Sequence, residues 1–140
     1  MALTTRKDIL DDMAYRMGQI VSLTTVTRWR DTDAEPYEPE ECPALNIKYR
    51  DATINHNISN DEHSLPMSLE IHTTSRITSD DAENLLGDVA AMVETHDTWG
   101  GHADGSNIES HGIDTTQTGD TITAATLEIT VTYTTDKGKI

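Results

Sequence analysis

Hydrophobic positions along the chain follow two different periods, and the longest regular run lies near its end. Leu127, Ile129, Val131 and Tyr133 alternate with Thr126, Glu128, Thr130, Thr132 and Thr134. Successive side chains of a strand point to opposite faces, so this pattern predicts a long strand over 121–135 with one apolar and one polar face. Its β-branched and aromatic residues suit a pleated, half-buried surface. Ala124-Ala125 interrupts the alternation and predicts a bulge or bend. A strand of this length is expected at the centre of a sheet, with the rest of the chain supplying its neighbours and its helical cover.

Two stretches show the helical period. Ile9, Leu10, Met13, Met17 and Ile20 recur at three- and four-residue spacing, which predicts an amphipathic helix over 5–20. Thr4-Thr5 followed by Asp8 supplies its cap and first-turn acid. Ala82, Leu85, Leu86, Val89, Ala90 and Val93 predict a second helix over 80–96, opened by Thr78-Ser79-Asp80-Asp81 and stopped by Gly100-Gly101. Shorter alternations predict strands over 44–50 and 64–73, and a weaker one over 106–117 around Ile108 and Ile113; residues 22–30 are β-rich and either alternate as a strand or already enter the loop at their end. Pro66 places the 64–73 strand at an edge or begins it, because proline cannot donate to a ladder. Residues 51–63 are polar and read as the turn of a broad hairpin, and Gln117-Thr118-Gly119-Asp120 as a tighter one. Residues 31–43 mix Asp31, Asp33, Glu35, Glu38, Glu40 and Glu41 with Pro36, Pro39 and Pro43. Like charges and prolines there predict an extended, solvated loop. Residues 1–140 therefore read as a single α+β domain, an antiparallel or mixed sheet of about 4–5 strands with two helices packed on it.

Composition narrows the function. The formal charge is −15, with 15 Asp and 10 Glu against 4 Lys. Nucleic-acid binding needs a basic face, so it is disfavoured. An acidic surface of this kind suits high salt, where self-repulsion is screened. There is no Phe, and the six aromatic residues leave the core to Leu, Ile, Val, Met and Ala. No apolar run is long enough to span a bilayer, and the opening segment is amphipathic rather than signal-like. Cys42 is the one cysteine. It suits a reducing compartment, and the adjacent Glu40-Glu41 disfavours its thiolate.

No catalytic constellation emerges. The six histidines lack the paired helical spacing of metallohydrolases, and neither a CxxC pair nor a phosphate-cradling glycine loop is present. His96, His102 and Asp104 could converge as metal ligands, although polar loops produce such spacings by chance. Asp61-Glu62-His63 reads as loop solvation and Asp80-Asp81 as helix capping. The chain is not expected to be an enzyme, and no cofactor or metal is expected. The candidate positions are instead contact residues. They are the acids Asp31, Asp33, Glu35, Glu38, Glu40 and Glu41, and the loop aromatics Trp29, Tyr37 and Trp99, a residue class enriched in interfaces. Each aromatic could equally be packed locally.

Order and spacing across the chain resemble one family. An amphipathic opening helix is followed by a strand and an acidic, proline-containing loop. A Pro-Ala-apolar junction comes next (Glu41-Cys42-Pro43-Ala44-Leu45-Asn46-Ile47-Lys48-Tyr49), then a Leu-x-Ile strand (Leu69, Ile71) and a helix opening on Ser79-Asp80. The last strand runs from Ala125-Thr126-Leu127 to Thr132-Tyr133. In this the sequence is similar to tail terminator (tail completion) proteins of long-tailed bacteriophages, although the 97–107 segment has no counterpart. The resemblance implies a virion tail protein that forms a ring, usually hexameric, on the last ring of the tail tube. It would stop tube polymerisation and present its other face to the head–tail connector or neck protein. Genomic DNA would only pass through the channel, without specific binding, and no membrane would be involved. A connector or neck role in the same virion is the neighbouring expectation.

Overall fold

A computed structural model describes residues 5–74, 78–118 and 121–140. The fold is α+β. Helix α1 (Arg6–Met17) precedes strands β1 (Thr25–Arg28), β2 (Ala44–Tyr49), β3 (Thr53–His56) and β4 (Asn60–Thr74). Helix α2 (Ser79–Thr95) and strands β5 (Gly105–Thr118) and β6 (Thr121–Asp136) complete it. The six strands form one mixed sheet in the order β1-β2-β4-β6-β5, and β3 pairs with β4 beyond the end of β2. Among the described strands only β1 and β2 run parallel.

Both helices start where their caps place them. In α1, Asp8 Oδ2 accepts from the Thr5 backbone N–H at 2.9 Å and from its hydroxyl at 3.1 Å. In α2, the Asp81 N–H donates to Thr78 Oγ1 at 3.1 Å. These bonds satisfy donors that a helix N-terminus leaves free. The apolar stripes of both helices meet one face of the sheet. Ile9, Leu10, Met13 and Met17 of α1 join Leu85, Leu86, Val89 and Val93 of α2 over Leu45, Ile47, Met67, Leu69, Leu127, Ile129 and Val131. Three methionines fill space that phenylalanine occupies elsewhere.

Strand β6 is central, flanked by β4 and β5 along its length. Its ladder with β4 shifts register where Ile71 pairs with Ala125 and His72 with Thr123, so Ala124 is the extra residue of a bulge. The interruption of the alternation by Ala124-Ala125 has this physical origin.

Three expectations need correction. The sheet has six strands rather than about 4–5, because residues 51–63 are not one turn. Thr53–His56 pairs with Asp61–Ser64, and Asn57-Ile58-Ser59 connects the two strands, closed by Asn57 N–H to Asn60 O at 2.9 Å. Asp61-Glu62-His63 therefore belongs to β4, and Asp61 and His63 are buried. Pro66 lies neither at an edge nor at a strand start. The Arg50 N–H reaches the Pro66 carbonyl at 2.9 Å, so Pro66 turns its donor-less nitrogen toward the break between β2 and β3. A central proline is tolerated where the neighbouring ladder is already interrupted. The turn expected at 117–120 falls partly outside the described residues, at 119–120.

Core and edge positions should respond differently to truncation. Ile129→Ala, at a fully covered site, is expected to cost about 2–5 kcal/mol by denaturant unfolding. Ile113→Ala, on edge strand β5 and 41% exposed, should change stability by no more than about 0.5 kcal/mol. Equal effects would contradict this arrangement of the sheet.

Candidate interaction surface

The acidic loop is not an extended segment in water. It folds back over the sheet face opposite the helices and is clamped there by one arginine. Arg30 Nε donates to the Glu35 carbonyl at 2.8 Å and Nη2 to the Pro36 carbonyl at 3.0 Å. Nη1 and Nη2 reach the two carboxylate oxygens of Glu41 at 2.8 and 3.2 Å. A planar guanidinium pairs with a carboxylate in this two-pronged way. The same group lies over the Tyr37 ring, 4.4 Å from its centroid.

Tyr37 is the anchor of the loop, only 2% exposed. Its ring meets His72 of β4 at 5.0 Å, and its hydroxyl bonds Thr27 of β1. Asn46 of β2 completes the attachment. Its Oδ1 accepts from the Arg30 N–H at 3.0 Å and from Thr27 Oγ1 at 3.1 Å, and its Nδ2 donates to the Arg30 carbonyl at 2.8 Å. A buried carboxamide with its bonds made is well placed to hold a loop whose own backbone lacks a ladder.

Electrostatics follow this geometry. The Glu41 carboxyl is held below its ordinary value, first by its bonds from Arg30 and then by the Glu38 N–H. Burial pushes the Tyr37 hydroxyl up. Burial also pushes the Cys42 thiol up, with the Glu41 charge adding to it, so the thiol stays protonated. What the clamp leaves outside is a set of carboxylates. Asp31, Asp33, Glu35, Glu38 and Glu40 are all exposed. Asp31 Oδ1 accepts from the Asp33 and Ala34 N–H groups, which shapes the first turn. The surface is thus an acidic display on a fixed backbone.

The aromatics divide. Trp29 is 49% exposed at the edge of this surface, its indole N–H bound to the Tyr49 carbonyl at 3.0 Å. Lys48 lies 5.3 Å from its ring centroid. Its φ of +54° is unusual for a side chain of this size, and the indole bond holds it there. Tyr37 and Trp99 are packed inside this chain. Trp99 is 0% exposed at the end of α2, and its indole N–H donates to Ser106 Oγ at 2.9 Å. The Gly100 that follows has φ +75°, and a Cβ there would come within 2.9 Å of Asp12 Oδ1. Asp12 in turn holds Arg16 at 2.7 Å, and Arg16 donates to His96 Nδ1 at 2.9 Å.

The histidine segment does not assemble into a metal centre. His96 faces Arg16, whereas Asp104 accepts from Thr134 at 2.7 Å. Among the described residues no three His, Cys, Asp or Glu side chains converge.

A second polar cluster, unforeseen from sequence, ties the C-terminal residues to β4. Asp61 is 3% exposed and receives His56 Nδ1 at 2.8 Å, the Gly138 N–H at 3.1 Å and Lys137 Nζ at 3.3 Å. Beside it, His63 stacks on Tyr133 at 4.6 Å and bonds Thr135 Oγ1 at 2.8 Å. The Gly138 N–H bond, then that from His56, and also Lys137 bring the Asp61 carboxyl down to about 2, against the opposing effect of burial.

Two outcomes follow. Arg30→Met should free the loop, seen as faster amide exchange over 31–41 with the β4–β6 ladder unchanged; unaltered exchange would show that the clamp does not hold it. For Asp61, the folded value lies below the unfolded one near 3.8. Its stabilisation is therefore present above about pH 4 and lost as pH falls toward 2. The melting-temperature gap between the native chain and Asp61→Asn should be widest above pH 4 and shrink toward pH 2. A gap independent of pH would contradict the assignment. No protein-family model matches the chain, and no curated protein matches it.

Proposed function

We propose that the protein is a non-enzymatic subunit of a bacteriophage tail. It forms a ring that caps the tube, stops its polymerisation and offers a surface for head–tail joining. The reading rests on the family resemblance, and one structural observation carries it. Among the described residues the single sheet has open edges on opposite sides, β5 on one and β1 with β3 on the other, each of these strands pairing with one neighbour. Unpaired strand edges are natural contact points. Contacts made through two different edges are head-to-tail, and such contacts close into rings when the rotation between copies permits. The fixed carboxylates at 31–40 fit a component beside passing DNA, because an anionic surface does not adhere to phosphates.

In this reading the partners are other copies of the chain, the tail-tube protein and the head–tail connector. Imaging of virus particles assembled without this protein tests it. Overlong, variable tails without heads are the expected result. Tails of normal length that fail to join heads would assign the protein to the neck. Normal virions would overturn both roles.

A further inference from the structure

We infer that successive copies of the chain meet through unlike charge, the Trp29 edge of one copy against the Glu109 edge of the next. The inference rests on the ring reading and names the contact that closes it. A chain of charge −15 repels its own copies, so self-association needs its few cations gathered where a neighbour can meet them. All ten lysines and arginines lie at 6–76 or 137–139, and residues 77–136 contain none. In the sheet order β1-β2-β4-β6-β5, this division separates one edge from the other.

The cationic edge is built around Trp29. Arg28 ends β1, Lys48 lies 5.3 Å from the Trp29 ring centroid, and Arg50 follows β2 in an exposed position. Arg6 of α1 covers Tyr49, which meets the Trp29 ring edge-on at 6.1 Å. Asp11 and Glu70 answer Arg28 and Lys48, whereas Arg50 forms no ion pair among the described residues. Trp29 stands half in solvent with its indole N–H already bonded, a fixed aromatic surface of the kind that anchors interfaces. The anionic edge is β5. Glu109 is the extra residue where the ladder with β6 shifts between Ile108 and Ser110, and it is exposed. Helix α2, packed on β5 and β6, turns Asp80, Asp81, Glu83, Asp88 and Glu94 to solvent without a single cation.

The two edges also stand level. Arg28 pairs with Ile47, Ile47 with Leu69, Leu69 with Leu127 and Leu127 with His111, so one row of the sheet runs from Arg28 to the residue two beyond Glu109. Strands β1 and β5 run in opposite directions, so an identically oriented neighbour brings them together antiparallel. A neighbour displaced along that row sets its Glu109 beside Arg28 and Arg50. The acidic loop argues against two copies meeting through the same edge. It leaves β1 directly after Trp29, so such a pair would bring the exposed Asp31 and Asp33 of both copies together. The head-to-tail contact sets one acidic loop there instead of two, and it repeats around a ring.

The test is charge reversal with rescue, read by sedimentation of the purified full chain over a range of concentrations. The native chain is expected to form a closed multimer. Arg50→Glu and Glu109→Arg, both at exposed positions, should each raise the concentration needed for assembly about tenfold or more, with unchanged circular dichroism. An equimolar mixture of the two should assemble again, because each keeps one native edge and the two reversed edges attract. Damage to the fold is not repaired by mixing. The milder Arg50→Gln and Glu109→Gln should each weaken assembly without rescuing one another. If the multimer forms but the reversals leave it unchanged, or the mixture fails to recover it, the contact is overturned and the ring reading stands. Monomers at every concentration would overturn the contact and the ring together.

Discussion

The structure depends on the ladder between β4 and β6. Fifteen paired positions, from Asn60 with Asp136 to Thr74 with Thr121, hold two long strands together, with one shift at the Ala124 bulge. That register puts Leu65, Met67, Leu69 and Ile71 on the same face as Leu127, Ile129, Val131 and Tyr133, and a slip by one residue would turn every one of them away from the helices. Both helices need this apolar face, because neither stripe is covered without it. The outer strands then attach to a frame already defined, β2 and β3 on one side and β5 on the other.

The opposite face of the sheet works by other means. Among the described residues neither α-helix lies on it, and its cover beside β1 and β2 is a loop rich in carboxylates with a single 3-10 turn at Pro39–Glu41. Such a loop has no apolar stripe to drive it down, so the attachment is made by a few directed bonds: Arg30 to Glu41, Tyr37 against His72, and Asn46 to the Arg30 backbone. Spending one acid internally lets the remaining carboxylates stay outside on an ordered backbone. The same chemistry recurs at the far end, where buried Asp61 gathers His56, Lys137 and the Gly138 N–H. In a chain short of cations, both clusters use polar bonds where a richer core would use apolar contact.

Much of this fold can be read from the residues. The alternation of Leu127 to Tyr133, the bulge at Ala124-Ala125, and the caps at Thr5 and Thr78 are local signals, and local physics decides them. The missed features are those that a distant partner creates. Thr53–His56 is polar on both faces and becomes a strand only because Asp61–Ser64 pairs with it. Pro66 looks like an edge marker until the break at Arg50 is placed beside it. Tyr37 looks exposed among acids, although a lone aromatic near an arginine, with Glu41 to complete the pair, was a sign of folding back. In the loop, sequence marked the acids that the structure leaves exposed, Asp31, Asp33, Glu35, Glu38 and Glu40, but not that Glu41 turns inward to Arg30, and it could not separate Trp29, half in solvent, from Tyr37 and Trp99, both enclosed.

The break between β2 and β3 has a mechanical meaning. All four residues of β3 are exposed, and it touches the sheet through β4 alone. Detaching it would uncover little apolar surface but would break the His56 bond to buried Asp61, whereas detaching β2 would expose Leu45 and Ile47. The border is therefore built as an apolar half, β2, and a polar half, β3, joined at Arg50–Ala52, with Pro66 opposite the joint. One border of the sheet is thus fastened by directed polar bonds, His56 to buried Asp61 among them, and the adjoining stretch by apolar contact, so acid would loosen the first and leave the second as it was.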